Sequence, residues 1–349
     1  MKRALRWLRI PAAALLLAAA IALAGPRRVW DALSGADPRW LLAGLACAIA
    51  ANLVSALRWR ALCDWLGMRP PAGWAVAVYF QGVAVNALLP GAVVGGDVLR
   101  AWRLRTLGHP GLEAGLSVLL DRISGLWMLV VLGALALALG LREAGTPAAA
   151  AIAGAWPAAM PIGPAPAALL AAASMLVLPW LALGLALRAP VRDRAGRLGR
   201  LRAVLARRGW SGPYALQAIL SAAVQLLSVA ALLCALRALG ADLPAWAVAT
   251  AAVPIFLMAT LPVSFGGWGT REAAAAVALG ALGTPAAIAV TGSVVYGVYA
   301  LVQALGGWMG GAARAAGSPS RAEALGLSSS VRRPGRGNRA ARTHNKGDS

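Results

Sequence analysis

Charge is scarce in this chain: 13% of its 349 residues are Asp, Glu, Lys or Arg, 60% are apolar, and several long windows carry no charge at all. Those windows are 10–26, 40–57, 70–96, 123–141, 144–187, 209–236, 243–270 and 273–313. A soluble domain has little use for such runs, whereas the hydrocarbon core of a bilayer takes about 20 apolar residues per helix and at least roughly 17. The scarcity therefore excludes a soluble fold and implies a polytopic membrane protein. Backbone amides inside hydrocarbon have no water to bond, so Ala-, Leu- and Val-rich runs must be helical. The expected fold class is all-α.

Histidine is nearly missing. His109 and His344 are the only two, and neither falls in an expected span, which argues against imidazole catalysis or a metal inside the membrane. The three cysteines, Cys47, Cys63 and Cys234, have neither disulfide-framework nor zinc spacing. No cofactor is expected. Acidic residues number 12 against 33 basic ones, a formal charge of +21 that in a soluble chain would point to nucleic acid. Here the basic residues lie in short loops and tails beside apolar runs, where they set orientation by the positive-inside rule. No nucleic-acid partner is expected.

Loop charges then order the spans. Lys2, Arg3, Arg6 and Arg9 precede the run 10–26, which reads as an uncleaved first span, although Ala22 and Ala24 also suit a signal-peptide cleavage site. An outer loop, 27–39, follows. The span 40–57 leads to a cytoplasmic loop holding Arg58, Arg60 and Arg69, with Trp59 and Trp65 expected at the interface. The run 73–89 ends at Asn86 and the stretch LPGAVVGGDVLR, residues 89–100, and Arg100, Arg103 and Arg105 mark the next loop as cytoplasmic. Ten helical residues rise only about 15 Å, so the chain is expected to turn near the midplane and leave on the side it entered. A span at 112–140 follows, with Asp121 and Arg122 in its first third, near the cytoplasmic surface.

The second half repeats this order. A Pro-rich outer loop at 144–166 precedes a crossing at 167–187, and the Arg-rich segment 188–208 reads as a cytoplasmic amphipathic helix against anionic headgroups. Spans at 213–239 and 245–260 lead to LPVSFGGWGTRE, residues 261–272, and a last span, 285–313, precedes a basic tail. Both breaks read Leu-Pro, small residues, Gly-Gly, then Arg four positions on, with an acidic neighbour, Asp97 or Glu272. The expectation is six full transmembrane helices plus two re-entrant hairpins entering from opposite faces, an inverted-topology repeat with copies at about 10–140 and 167–313. The transmembrane domain is expected over 1–313 and a disordered cytoplasmic tail over 314–349. Both termini are expected in the cytoplasm.

Interrupted segments in matching halves point to a transporter's central site. Glycine pairs permit close approach, and the helix beginning beyond each pair turns its free N–H groups and positive dipole end towards the break. With Arg100 or Arg271 one turn on, each break is a candidate phosphate site. The candidate headgroup-binding residues are Asn86, Pro90, Gly95, Gly96, Asp97, Arg100, Asp121 and Arg122 in the first half. In the second they are Pro262, Ser264, Gly266, Gly267, Gly269, Arg271 and Glu272. Arg100 and Arg271 are expected to hold phosphate, with Asp97 and Glu272 pairing with them when the site is empty. Arg58 reads as a snorkelling loop charge.

The motifs NALLPGAVVGGDVLRA (86–101), SVLLDR (117–122), Arg58-Trp59 and LPVSFGGWGTRE (261–272) together resemble the lysylphosphatidylglycerol synthase transmembrane, or flippase-like, family of lipid-handling bacterial and archaeal membrane proteins. The resemblance covers most of the chain to about residue 313. It implies a flippase domain in the cell inner membrane, which in the best-understood members is joined to a soluble aminoacyl transferase. Beyond 313 only a basic tail of 36 residues remains, so lysine transfer is not expected. The function expected is translocation of an anionic phospholipid or polyprenyl-phosphate-type lipid. A non-transporting scaffold for a lipid-modifying or glycosyl-transferring partner enzyme is the alternative. An intramembrane enzyme is disfavoured because no nucleophile, histidine or metal cluster accompanies the carboxylates.

Overall fold

The computed structural model describes residues 25–88, 94–143, 160–188, 209–261 and 267–316, with side chains as far as 307, and a few isolated positions elsewhere. Apart from the end of the last helix, these residues belong to one compact unit, Met1–Gly311. Among them every regular element is a helix: α1 Pro26–Ser34, α2 Pro38–Trp65, α3 Ala72–Leu88, α4 Gly95–Thr106, α5 Gly111–Gly140, α6 Pro164–Arg188, α7 Ser211–Ala238, α8 Ala245–Thr260, α9 Thr270–Gly280 and α10 Ala286–Ala316. The chain is thus all-helical where it is described. Among the described residues five segments are long and apolar enough to cross a membrane, α2, α5, α6, α7 and Ala286–Gly307 of α10. The expected first span, 10–26, and most of the segments 144–166 and 188–208 lie outside the described residues.

The helices α3 and α4, of 17 and 12 residues, pack against each other, as do α8 and α9, of 16 and 11. At about 1.5 Å per residue each of these four rises less than the roughly 30 Å of a hydrocarbon core. The crossing of α3 and α4 is close because Gly82 and Gly96 meet there: a Cβ on Gly96 would fall on the Gly82 carbonyl oxygen. The helices α2 and α7 pack side by side, while α5 lies against α6 and α8. Small residues line such contacts, as expected where close van der Waals approach rather than hydrophobic exclusion holds helices together.

Three sequence expectations are corrected. The loop 27–39 contains the helix α1, whose Val29 packs with Val290 and Val294 of α10. The helix expected to stop at 57 runs on to Trp65. It does so because its polar residues find partners inside the protein: Trp59 is fully buried, donates from Nε1 to Ser117 Oγ (3.2 Å) and stacks on Trp74. Trp65, also buried, donates to the Gly209 carbonyl. Neither indole lies at an exposed interface.

Candidate functional site

Asp121 sits on α5 and is 2% exposed. A carboxylate so buried needs cationic partners, since an unpaired charge taken out of water costs several kcal/mol. It has two. Arg58 of α2 donates from Nε (3.0 Å) and Nη2 (2.8 Å) to Oδ1, and Arg100 of α4 donates from Nη1 to Oδ2 (2.7 Å). Arg58 also donates to the Asp121 backbone carbonyl and to Ser221 Oγ on α7. From Arg100 the network continues: Nη2 donates to Asp97 Oδ1 (2.7 Å), and Asp97 Oδ2 accepts from Arg122 Nε (2.8 Å).

Arg58, Asp121, Arg100, Asp97 and Arg122 thus form one chain of alternating charge drawn from three helices. Three arginines against two aspartates leave a formal charge of +1. The Arg100 guanidinium also lies 4.8 Å from the Tyr79 ring centroid and 5.3 Å from that of Trp59. Cations are attracted to aromatic faces, so Arg100 rests beside two rings while its Nη atoms meet two carboxylates.

Beside this network lies a cavity of about 350 Å³, within the size range of small-ligand sites. Arg58, Arg100, Asp121 and Arg122 line one side, and Asn52, Ser55, Asn86 and Gln225 add neutral polar groups. Phe256, Ala259 and Thr260 of α8 close it from the second half of the chain. Asn86 has a structural duty as well: its Oδ1 accepts the Gly96 N–H (2.8 Å) and ties α3 to the start of α4.

The second break is arranged differently. Arg271 donates from Nη2 to Glu272 Oε1 (2.6 Å) and from Nε to the Ser293 hydroxyl, and Glu272 Oε2 accepts the Gly269 N–H (2.6 Å). Gly267 and Gly269 have φ of 83° and 84°, a region that favours glycine. The Arg271 guanidinium lies 5.0 Å from Trp268 and 5.9 Å from Tyr296, so it too has a Trp and a Tyr ring beside it. Arg271 is 5% exposed and Glu272 0%. This pair is charge-balanced and does not line the cavity.

Of the residues singled out from sequence, Asn86, Arg100, Asp121 and Arg122 line one cavity, and Asp97 bonds two of its arginines. Gly95 and Gly96 open α4, while Gly267, Gly269, Arg271 and Glu272 form the separate closed cluster. Pro90, Pro262, Ser264 and Gly266 lie outside the described residues. The Gly96 and Gly269 N–H groups, expected to face a bound anion, are taken by Asn86 and Glu272. One further correction concerns charge: Arg58 is no snorkelling loop residue but a 4% exposed partner of Asp121, itself buried. Sequence reasoning also missed Asn52, Ser55, Ser221 and Gln225. Their signal was a polar residue every three or four positions within charge-free runs, a helical stripe.

Comparison with known families matches residues 6–307 to the lysylphosphatidylglycerol synthase TM region. Comparison with curated proteins gives no match.

Proposed function

The chain belongs to the lysylphosphatidylglycerol synthase TM-region family, and on that footing we propose that it is a lipid translocator with the cavity beside Asp121 as its headgroup site. The supporting observation is the surplus positive charge there among the described residues: Arg58, Arg100 and Arg122 share the carboxylates of Asp97 and Asp121, at the wall of a space large enough for a headgroup. A phosphate entering the cavity supplies the missing negative charge, in a medium where charge-assisted hydrogen bonds are strong. Arg271 and Glu272 serve as a second station, closed in this conformation. Rocking one half against the other alternates access.

The proposed membrane arrangement is six spans and two re-entrant hairpins, α3–α4 and α8–α9, opening to opposite faces. The shortness of these four helices supports it. Single cysteines at the exposed positions Thr106 and Ala281, in a chain freed of its native thiols, are expected to react with an impermeant maleimide from opposite sides. Reaction from one side removes the inverted arrangement.

Function is tested by the leaflet exposure of fluorescent phospholipid in vesicles holding the purified protein. Arg122 is the most exposed of the three site arginines, at 34% of its side chain, so its replacement disturbs the fold least. Arg122→Gln is expected to slow translocation about tenfold or more, the loss of one charge-assisted contact of about 1.5–3 kcal/mol. A wild-type protein that moves no anionic lipid, yet holds a lipid-modifying enzyme in a stable complex, favours the scaffold reading instead.

A further inference from the structure

The short helix α1 lies where three long helices begin or end. Gly35, Ala36 and Asp37 alone separate it from α2, and the Asp37 N–H donates to the Ala238 carbonyl at the end of α7 (2.9 Å). Its Val29 packs on Val290, near the start of α10, as does Ala276 of α9. Since α2, α7 and α10 each hold a segment able to cross a membrane, their shared end marks a membrane surface. Trp40 supports that level: it stands in the first turn of α2, 37% exposed, with the Arg237 guanidinium 5.4 Å from its ring centroid, and aromatic residues collect at membrane–water interfaces.

At 3.6 residues per turn, α1 divides into two faces. Val29, Trp30, Ala32 and Leu33 share one arc, and Arg27, Arg28, Asp31 and Ser34 the other. Only part of the apolar arc is covered: Trp30 is 69% exposed and Leu33 43%. Arg27 and Arg28 are exposed and make no ion pair among the described residues, and so is Arg39 just beyond. Three arginines against Asp31 and Asp37 leave a surplus of one positive charge, and the Asp37 carboxylate already accepts the Arg39 N–H as the cap of α2. A stable protein partner needs roughly 20–30 residues a side, more than this nine-residue helix presents.

We infer that α1 is an in-plane helix whose partner is the phospholipid surface itself, with Trp30 and Leu33 in the acyl boundary and Arg27 and Arg28 on lipid phosphates. Amphipathic helices with a basic polar face lie in the interface in this way. Through Val29 the helix ties the start of α10 to that surface. This lipid contact is separate from the headgroup cavity, and its failure leaves that reading untouched.

The test places single nitroxide-labelled cysteines at Asp31, Leu33 and Ser34, all exposed, in the full chain freed of its native thiols and reconstituted in vesicles of phosphatidylcholine with or without phosphatidylglycerol. Collisions with oxygen, which concentrates in lipid, are expected to dominate at 33. Collisions with a neutral nickel chelate, which stays in water, are expected to dominate at 31 and 34. Replacing Arg27 and Arg28 together by Gln is expected to abolish the deeper immersion that phosphatidylglycerol gives position 33, since each arginine at an anionic surface is worth a factor of about five in binding. Nickel-dominated collisions at all three positions overturn the inference, because α1 then stands in water. Exclusion of both reagents at 33 overturns it in favour of a second copy or another protein on this face. Immersion unchanged by the double replacement removes the phosphates from Arg27 and Arg28 and overturns it as well.

Discussion

Replacing Asp121 by alanine is expected to lower the stability of the folded protein by about 3–5 kcal/mol, the usual cost of stranding one side of a buried ion pair. The position is unusually exposed to that cost because one carboxylate serves two cations. Arg58 keeps Ser221 and a backbone carbonyl, and Arg100 keeps Asp97, but the formal charge of the cluster rises from +1 to +2, three arginines against Asp97 alone. Two guanidiniums formerly joined through a carboxylate then repel each other in a poorly solvated space. Thermal unfolding in micelles is expected to show a loss on the order of 10 °C. The variant is also expected to gain more from added short-chain phosphatidylglycerol than the wild type does. A ligand that binds only the folded state stabilises it in proportion to its affinity, and an anionic headgroup now replaces a missing charge. Equal ligand-induced shifts in both proteins would remove the phosphate from this cluster.

Glu272→Ala is expected to cost a similar 3–5 kcal/mol with a different signature. Glu272 is fully buried, holds Arg271 through Oε1 and the N-terminus of α9 through Oε2. Its loss therefore strands a cation and an N–H together. Glu272→Gln is expected to recover part of the loss, because an amide oxygen still accepts the Gly269 N–H, while the ion pair stays broken. Since Arg271 and Glu272 do not line the cavity, phosphatidylglycerol affinity is expected to remain within about twofold of wild type, as for sites that share no partner. A parallel fall in stability and affinity would join the two clusters into one site.

The contrast between the two breaks bears on how much was legible beforehand. Their matching Leu-Pro, Gly-Gly and Arg spacing was visible in the chain, and each arginine does lie against a Trp and a Tyr ring. Their inequality was not visible. Arg271 has its carboxylate next to it in sequence, whereas Arg100 shares Asp97 and Asp121 with arginines from two other helices. Arg58 was misread for a related reason: it follows a charge-free run and precedes Arg60, the pattern of a loop, and only the partner 63 positions away keeps it in the interior. The helix ends at Leu88, Gly95, Thr260 and Thr270 followed closely from the Gly/Pro breaks, because those residues act on the backbone locally.

Sequence by itself determined that the chain is helical and lives in a membrane, since apolar length and unsatisfied backbone groups in hydrocarbon leave no other solution. It also marked the two breaks, whose glycines and prolines act within a few residues of themselves. Tertiary structure alone decided which charges share a cavity and which neutralise each other. That is a matter of distances across helices, and Coulomb energy and hydrogen bonding fall off within a few ångströms, so residues 58, 100 and 121 become one site only when α2, α4 and α5 pack together.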